Sequence, residues 1–392
     1  MALMPELKAA VIGAGGGRGR GWLRKLKSYR KIKGYDINVV AACDRLEKPL
    51  QQSANLFNVT PYLDYHKMFE KEDLDLVIIA TPHYIHAPMS IAAAEHDVNV
   101  LVEKIMCINL EQADAMRTAV EKSGIKLAVG FQHRFDKKYN IIKDVIESGD
   151  IGDVFQVNMN YHWWRTENYY LNSTPVPENE DDDIWEGWRG HWKTEGAGAL
   201  SNQMIHFMDL FQWFAPGDLQ NVMAMSRVSK HTLTETDDNT NAICDFSKGA
   251  MGNLQAGVAY QYGKLERFEV YGTDGALIFQ NRGLKRFLGI PTHWVDMRKK
   301  SVKAKKRLRS YGGKLTLNSN KMLVKNLVEA IKEDDSSIIS CDVEEGRKSV
   351  ELMRAILLSE KEERKITVPF EDQGEFPDLK HTYVDPKFEE FL

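Results

Sequence analysis

Short apolar runs alternate with amphipathic segments along the first 130 residues. "KAAVIGAG", "INVVAACD", "DLVIIATP", "NVLVEK" and "KLAVGF" read as strands, with "GWLRKLKSYRKI", "HAPMSIAAAEH" and "LEQADAMRTAVEKSG" as helices between them. The strand runs are continuous in Val, Ile and Ala, the pattern of strands covered on both faces, so a parallel βαβ sheet is expected here. Beyond residue 150 the pattern changes. "DVFQVNMNYHW", "VMAMSRVSKHTL", "TNAICDF", "MGNLQAGVAYQY", "RFEVYGT" and "GALIFQN" are strand-like, separated by turns, and several alternate apolar with polar residues. That alternation predicts an antiparallel sheet with one face in water. Helical periodicity returns in "NKMLVKNLVEAIKED" and "DVEEGRKSVELMRAILLSEKEE". The predicted fold is α/β: a Rossmann-type domain over residues 1–130 and a C-terminal α/β domain over 131–392, the latter with a large, mainly antiparallel open sheet. The boundary falls within residues 131–150, and no internal repeat is visible.

Two domains also follow from length, because 392 residues exceed what one hydrophobic core usually holds. Lys plus Arg number 52 against 56 Asp plus Glu, a near-balance that counts against a nucleic-acid partner. The four cysteines, Cys43, Cys107, Cys244 and Cys341, are far apart, so neither a disulfide framework nor a metal site is expected and a reducing compartment fits. No stretch approaches the ~20 apolar residues of a membrane span. "MALMPELKAAVIGAGG" lacks the layout of a signal peptide, so a soluble, cytoplasmic protein is expected. An acidic stretch, "PENEDDDIWEGW", and a basic one, "RKKSVKAKKRLRSYGGK", read most simply as solvated loops. The sharper readings are that they meet across a subunit contact, or that the basic block attracts an anionic substrate.

Candidate chemistry begins at "VIGAGGGRGRG", which ends the first strand and opens the first helix. Glycines there let the backbone turn tightly and approach a pyrophosphate at the helix N-terminus. Gly13 and Gly15 are followed by Gly16, Gly17 and then Arg18 where a third glycine would fall, with Gly19 one place later. Asp44, closing the second strand, stands where an acid accepts the adenosine ribose hydroxyls, which favours NAD; Arg45 beside it would pair with a 2′-phosphate and keeps NADP open. Thr81 and Pro82 end another strand, with His83 and His86 after them, and Glu103-Lys104 ends a further one. Gln132, His133 and Arg134, after the sixth strand, are expected at the mouth of the crevice.

In the second half, Asn202, His206, Asp209 and Trp213 recur at helical spacing within an arc of about 60°. Met204, Phe207, Met208, Phe211 and Phe214 occupy the opposite side, an apolar stripe fit for a core. "HWWRTENYY" and "WEGWRGHW" concentrate aromatics and arginine; aromatic faces pack on the C–H faces of sugar rings, and arginine forks bind hydroxyls or carboxylates. Tyr161, Trp163, Arg165, Tyr169, Trp188, Arg189 and Trp192 are the candidate wall of a carbohydrate pocket.

The ordered set of the glycine loop, "TPHYIH", "VEK", "GFQHRF", "IESGDIGDV", "WRGHW", "GAGALSNQMIHFMDL", "VYGTDGAL" and "SEKEERKITVP" resembles the glucose–fructose oxidoreductase, inositol dehydrogenase and rhizopine-catabolism (Gfo/Idh/MocA) family. The resemblance covers nearly the whole chain. It implies bound NAD(P), a small carbohydrate or polyol substrate, and a homo-oligomer, dimer or tetramer, that uses the open sheet for contacts. It implies Lys104 as hydrogen-bond donor to the reacting oxygen, His206 as proton acceptor, Asn202 as a substrate-orienting residue and Asp209 as the group holding the imidazole. It also places Trp188 and Arg189 near both cofactor and substrate. The chain departs from the family in having Ile105 where proline usually follows Glu-Lys, and Asn202 where many members carry aspartate. Net oxidation of a sugar, sugar derivative or cyclitol is the leading reading. A redox-neutral glycosidase, working by C3 oxidation, elimination, hydration and re-reduction, is the alternative, and a non-catalytic NAD-binding protein the third.

Overall fold

The computed structural model describes residues 6–30, 32, 35–171, 175–177, 185–281, 283–289 and 319–380. The basic stretch and most of the acidic one lie outside them. The chain forms two compact units. The first closes at Gln132 and resumes over helix Ser319–Glu333 as far as Val350; the second begins at His133 and takes the chain again from Glu351.

The first unit holds strands β1 (Leu7–Ile12), β2 (Ile37–Cys43), β3 (Thr60–Tyr62), β4 (Leu76–Ile79), β5 (Asn99–Val102) and β6 (Leu127–Val129). They lie in the order 3-2-1-4-5-6, every neighbouring pair parallel. All residues of β4 and β6 are buried, as their unbroken apolar sequences require. β3 is a short edge strand that hydrophobic patterning misses, and its Pro61 is tolerated because an edge leaves one side unpaired. Helices Gly17–Tyr29, Glu47–Phe57, Tyr65–Lys71, His86–Glu95 and Leu110–Ser123 connect the strands. Their ends obey local rules: Asn109 Oδ1 accepts from Gln112 N at 2.9 Å at one start, and Gly124 at φ +75° closes that helix.

One sequence expectation needs correction here. A single boundary cannot describe the chain, because residues 319–350 belong with the parallel sheet. Leu323, Val324, Leu327 and Val328 are buried, Val129 N donates to Cys341 O at 2.8 Å, and Arg347 Nε donates to Asp114 Oδ1 at 2.7 Å. Periodicity identified this helix but carried no information about which sheet it would cover.

The second unit holds β7 (Val154–His162), β8 (Pro175–Pro177), β9 (Trp185–Gly187), β10 (Leu219–Arg227), β11 (Asn239–Phe246), β12 (Met251–Gly257), β13 (Leu265–Gly272), β14 (Gly275–Gln280), β15 (Gly283–Gly289) and β16 (Ile366–Thr367). β8 and β9 pair with each other; the rest form an eight-stranded sheet in the order 15-14-13-7-12-11-10-16. Its pairs are antiparallel except β7 with β12. Side chains alternate between a buried face and an open one, visible in β10 and β11. The buried face receives helix Ile205–Phe214. Phe207 packs on Tyr161 with ring centres 4.3 Å apart, Phe211 on Phe246 at 5.6 Å and Phe214 on Phe268 at 5.5 Å. Met204, Phe207, Met208, Phe211 and Phe214 are each at most 5% exposed, so the apolar stripe is the core contact that its spacing predicts.

Candidate active site

In the first unit the candidate residues follow the carboxyl ends of five parallel strands: Gly13 after β1, Asp44 after β2, Thr81 after β4, Glu103 and Lys104 after β5, and Gln132 after β6. Open α/β sheets bind ligands at that edge, where the strand order reverses. Gly13 sits at φ +85°, and a Cβ there would lie 2.6 Å from Ala80 O, so only glycine makes this turn. Gly19, not position 18, provides the close helix–strand approach, since its Cβ would collide with Gly13 O. Gly16 precedes helix Gly17–Tyr29, whose start has neither a side-chain cap nor an acidic residue in its first turn. A helix start of that kind accepts an anion. Asp44 Oδ2 accepts from Gly15 N at 2.8 Å and Oδ1 from Leu46 N at 3.0 Å, which locks the carboxylate at the tip of β2 with one lone pair left on each oxygen. Arg45 beside it is exposed. The cradle and its acid fit a dinucleotide.

Two residues of this edge brace the chain itself. Arg18 Nε and Trp22 Nε1 both donate to Glu103 Oε1 at 2.6 Å, tying the first helix to the end of β5. Burial pushes the Glu103 carboxyl up, but the Arg18 charge and these hydrogen bonds outweigh it and hold the group below the ordinary glutamate value. His86 is fully buried, its Nδ1 2.7 Å from Ile105 O and its Nε2 3.0 Å from Thr81 O, so it joins the ends of β4 and β5. Burial lowers its pKa despite both carbonyls. His83 is also buried, 5.8 Å from the His86 ring, whereas Thr81, Pro82 and Lys104 are half-buried. The Lys104–Ile105 peptide is cis.

In the second unit the helix that carries Asn202 and His206 is not uniform. Leu200–Met204 forms a π-helical turn that runs into α-helix Ile205–Phe214, a distortion that 3.6-residue periodicity cannot express. Buried carboxylates from elsewhere hold its start. Asp237 Oδ1 and Oδ2 accept from Gly198 N at 2.8 Å and Leu200 N at 3.1 Å. Glu195 Oε2 accepts from Gly190 N at 2.6 Å, and its Oε1 accepts from Asn202 Nδ2 at 2.5 Å. Burial pushes the Glu195 carboxyl up to about 7 and that of Asp237 up to about 6. Sequence reasoning missed both acids: Asp237 lies on a distant loop, while Glu195 ends a separate short helix, seven residues before Asn202 and across a break at Gly196.

The His206 ring meets His133 edge-on at 4.9 Å, and His133 Nδ1 lies 2.9 Å from Asp136 Oδ2. Asp209 meets a second partner besides any it has on its own helix. Its carboxylate is taken by Arg134, which donates from Nε at 3.0 and 2.9 Å and from Nη2 at 2.6 Å, both residues being buried. Arg134 therefore belongs to the core, not to a crevice mouth, with the Trp213 ring centre 5.4 Å from its guanidinium carbon. Within the aromatic wall, Tyr161 and Trp192 are buried, the first against Phe207 and the second stacked on Phe376 at 5.1 Å. Trp163, Arg165, Tyr169, Trp188 and Arg189 are half-buried. Gln203 Nε2 donates to the Tyr169 hydroxyl at 2.7 Å, linking that wall to the residue beside Asn202.

Two family models match the chain: "Oxidoreductase family, NAD-binding Rossmann fold" over residues 7–131 and "GFO/IDH/MocA C-terminal domain" over residues 139–278. Among curated proteins, the chain is 27% identical over 221 residues to the uncharacterized oxidoreductase YrbE of Bacillus subtilis, covering 56% of this chain and 59% of that one. It is 26% identical over 272 residues to inositol 2-dehydrogenase of Salmonella typhimurium, covering 69% and 72%. The chain thus spans about three-fifths of the first relative's length and somewhat more of the second's. In fold it is similar to the WlbA dehydrogenase from Bordetella pertussis, solved with NADH and UDP-GlcNAcA: TM-score 0.77, 21% identity, 94% of this chain and 99% of that one. Matched over well more than half its length by the two models in tandem, and built on a sheet edge that fits a dinucleotide, the chain belongs to the GFO/IDH/MocA family of NAD-binding oxidoreductases.

Proposed function

We propose that the chain is an NAD-dependent oxidoreductase acting at a secondary alcohol carbon of a sugar, sugar derivative or cyclitol. The observation that carries this reading is the placement of Gly13, Asp44, Thr81, Lys104 and Gln132 after the carboxyl ends of neighbouring parallel strands. The names of the relatives, inositol 2-dehydrogenase above all, supply the substrate class. Bound NAD supplies hydride transfer to or from the alcohol carbon. The backbone of Gly13–Gly17 and the start of the first helix would hold the pyrophosphate, and Asp44 the ribose hydroxyls; an acid at that position favours NAD over NADP. The Lys104 ammonium donates to the reacting oxygen and stabilises its developing charge. The His206 imidazole takes the hydroxyl proton, with a ring nitrogen as the acceptor. Asn202, anchored on Glu195, orients the substrate hydroxyls.

Lys104→Ala and His206→Ala should each lower turnover by at least about a hundredfold while NAD binding, measured by calorimetry, is preserved. A wild-type rate in either variant contradicts the assignment. We also assign the open face of the eight-stranded sheet to self-association. Met223, Met225, Ile243 and Met251 are between 55% and 65% exposed there, and Met223 pairs directly with Ile243.

A further inference from the structure

Glu195 ends the short helix Trp192–Glu195 and is wholly buried. Its two oxygens serve different groups: Oε2 accepts from Gly190 N at 2.6 Å, and Oε1 accepts from Asn202 Nδ2 at 2.5 Å. A neutral glutamine of the same shape would fill this place without burying a charge. Burial disfavours the ionised acid enough to push its carboxyl up to about 7, against the Arg189 charge and both hydrogen bonds. Asp237 adds to the upward push, and Tyr169 and Tyr170 also feel this carboxylate. An acid kept here despite that penalty has a property that an amide lacks.

That property is direction. A carboxylate only accepts, so it admits the Asn202 amide one way round, with the NH2 on Oε1 and the carbonyl oxygen at the opposite end. An amide at the same place reverses this. In Glu195→Gln the side-chain oxygen would stay on Gly190 N, which needs an acceptor, so the new NH2 would face Asn202 and turn its amide over. The place matters because Asn202 is the middle residue of the π-helical turn Leu200–Met204, whose start Asp237 holds through Gly198 N and Leu200 N. Such turns are rare and concentrate at functional sites. Gln203, the next residue, donates to the Tyr169 hydroxyl at 2.7 Å and ties the turn to the aromatic wall. The helix that carries Glu195 is itself fixed: Trp192 stacks on Phe376 with ring centres 5.1 Å apart, and Trp192 N donates to Glu235 Oε1 at 2.6 Å.

We propose that Glu195 is a positioning residue: it holds Asn202 so that the amide's carbonyl oxygen is the end that meets the substrate and accepts from a substrate hydroxyl. An amide oxygen has two lone pairs, so this contact adds to any that Oδ1 makes within the chain. The substrate position that Asn202 touches therefore carries a hydroxyl acting as donor. This rests on the sugar-oxidoreductase reading above and deepens it.

The test titrates the NAD-loaded enzyme by calorimetry with D-glucose and myo-inositol, each beside its monodeoxyfluoro forms, in which one hydroxyl at a time loses its donor. In the wild type, fluorine at one position should weaken binding about fivefold or more. Glu195→Gln, which turns the amide's NH2 to the substrate, should abolish that discrimination. Glu195→Gln combined with Asn202→Asp should restore it, because the aspartate again accepts. Melting temperatures show that both variants are folded. Discrimination that Glu195→Gln leaves intact, or that the double variant fails to restore, would overturn the proposal, as would parent sugars that bind no tighter than their fluoro forms or not at all. NAD reduction by either parent without this pattern overturns it while leaving the sugar-oxidoreductase reading intact. The full pattern with no NAD reduction by either parent keeps the role of Glu195 and overturns the oxidation.

Discussion

Glu195 is wholly buried, and its carboxyl is raised from the ordinary value of 4.5 to about 7 because burial disfavours the charged form. Below about pH 4.5 the group is protonated whether the chain is folded or not, so it costs no stability. Between pH 4.5 and 7 the unfolded chain ionises first, binds fewer protons than the folded one, and stability falls; above 7 the loss levels off. Glu195→Gln removes that ionisation, so stability measured by denaturant titration should fall less from pH 5 to pH 8 in the variant than in the wild type. Equal losses would show that Glu195 does not ionise as its burial requires. Positions of the candidate site are legible where sequence context is local: Gly13, Asp44 and Lys104 each follow a recognisable strand, and His206 comes four residues after Asn202. Their supporting groups are not, because Asp237 reaches Gly198 N and Leu200 N only through tertiary folding.

At the scale of elements, helix Ile205–Phe214 shows how one periodic pattern serves the core on one side and polar contacts on the other. Its apolar side was read as core, and the phenylalanines seat on the sheet accordingly. Its polar side reads as a single stripe, and two members of it, Asp209 and Trp213, meet Arg134 and Lys143. A buried arginine needs a buried carboxylate, and nothing in one sequence says which of several acids it will find. The pair is structural, so Asp209→Ala strands a charge in the core and should destabilise the protein by about 3–5 kcal/mol. Differential scanning calorimetry would register a drop of many degrees in melting temperature; an unchanged transition would show that Arg134 finds water or another partner at no cost. The π-helical turn at Leu200–Met204 was likewise invisible, since it depends on the external carboxylates that hold its start.

At the scale of the molecule, both sheets were legible because each has its own hydrophobic signature, continuous in the parallel one and alternating in the other. What patterning could not trace was the path of the chain, which returns after the second sheet to cover the first. The open face of the eight-stranded sheet makes its own prediction. Ile243→Asp together with Met225→Asp places charge in the centre of the exposed apolar patch, so light scattering after gel filtration should show a smaller assembly than the wild type. An unchanged mass would assign that face to some other purpose.

The central claim, net transfer of hydride from a sugar-type alcohol to NAD, is tested most directly by stoichiometry. A panel of sugars, sugar acids, cyclitols and glycosides would be incubated in heavy water with limiting NAD, and reduced nicotinamide and products would be counted by absorbance and mass spectrometry. The account predicts one oxidised sugar for each NAD reduced, with turnover ending when NAD is exhausted. Cleaved glycoside in large excess over NAD, carrying deuterium next to the anomeric carbon, would contradict it and identify a redox-neutral cleavage in which the hydride returns within each cycle.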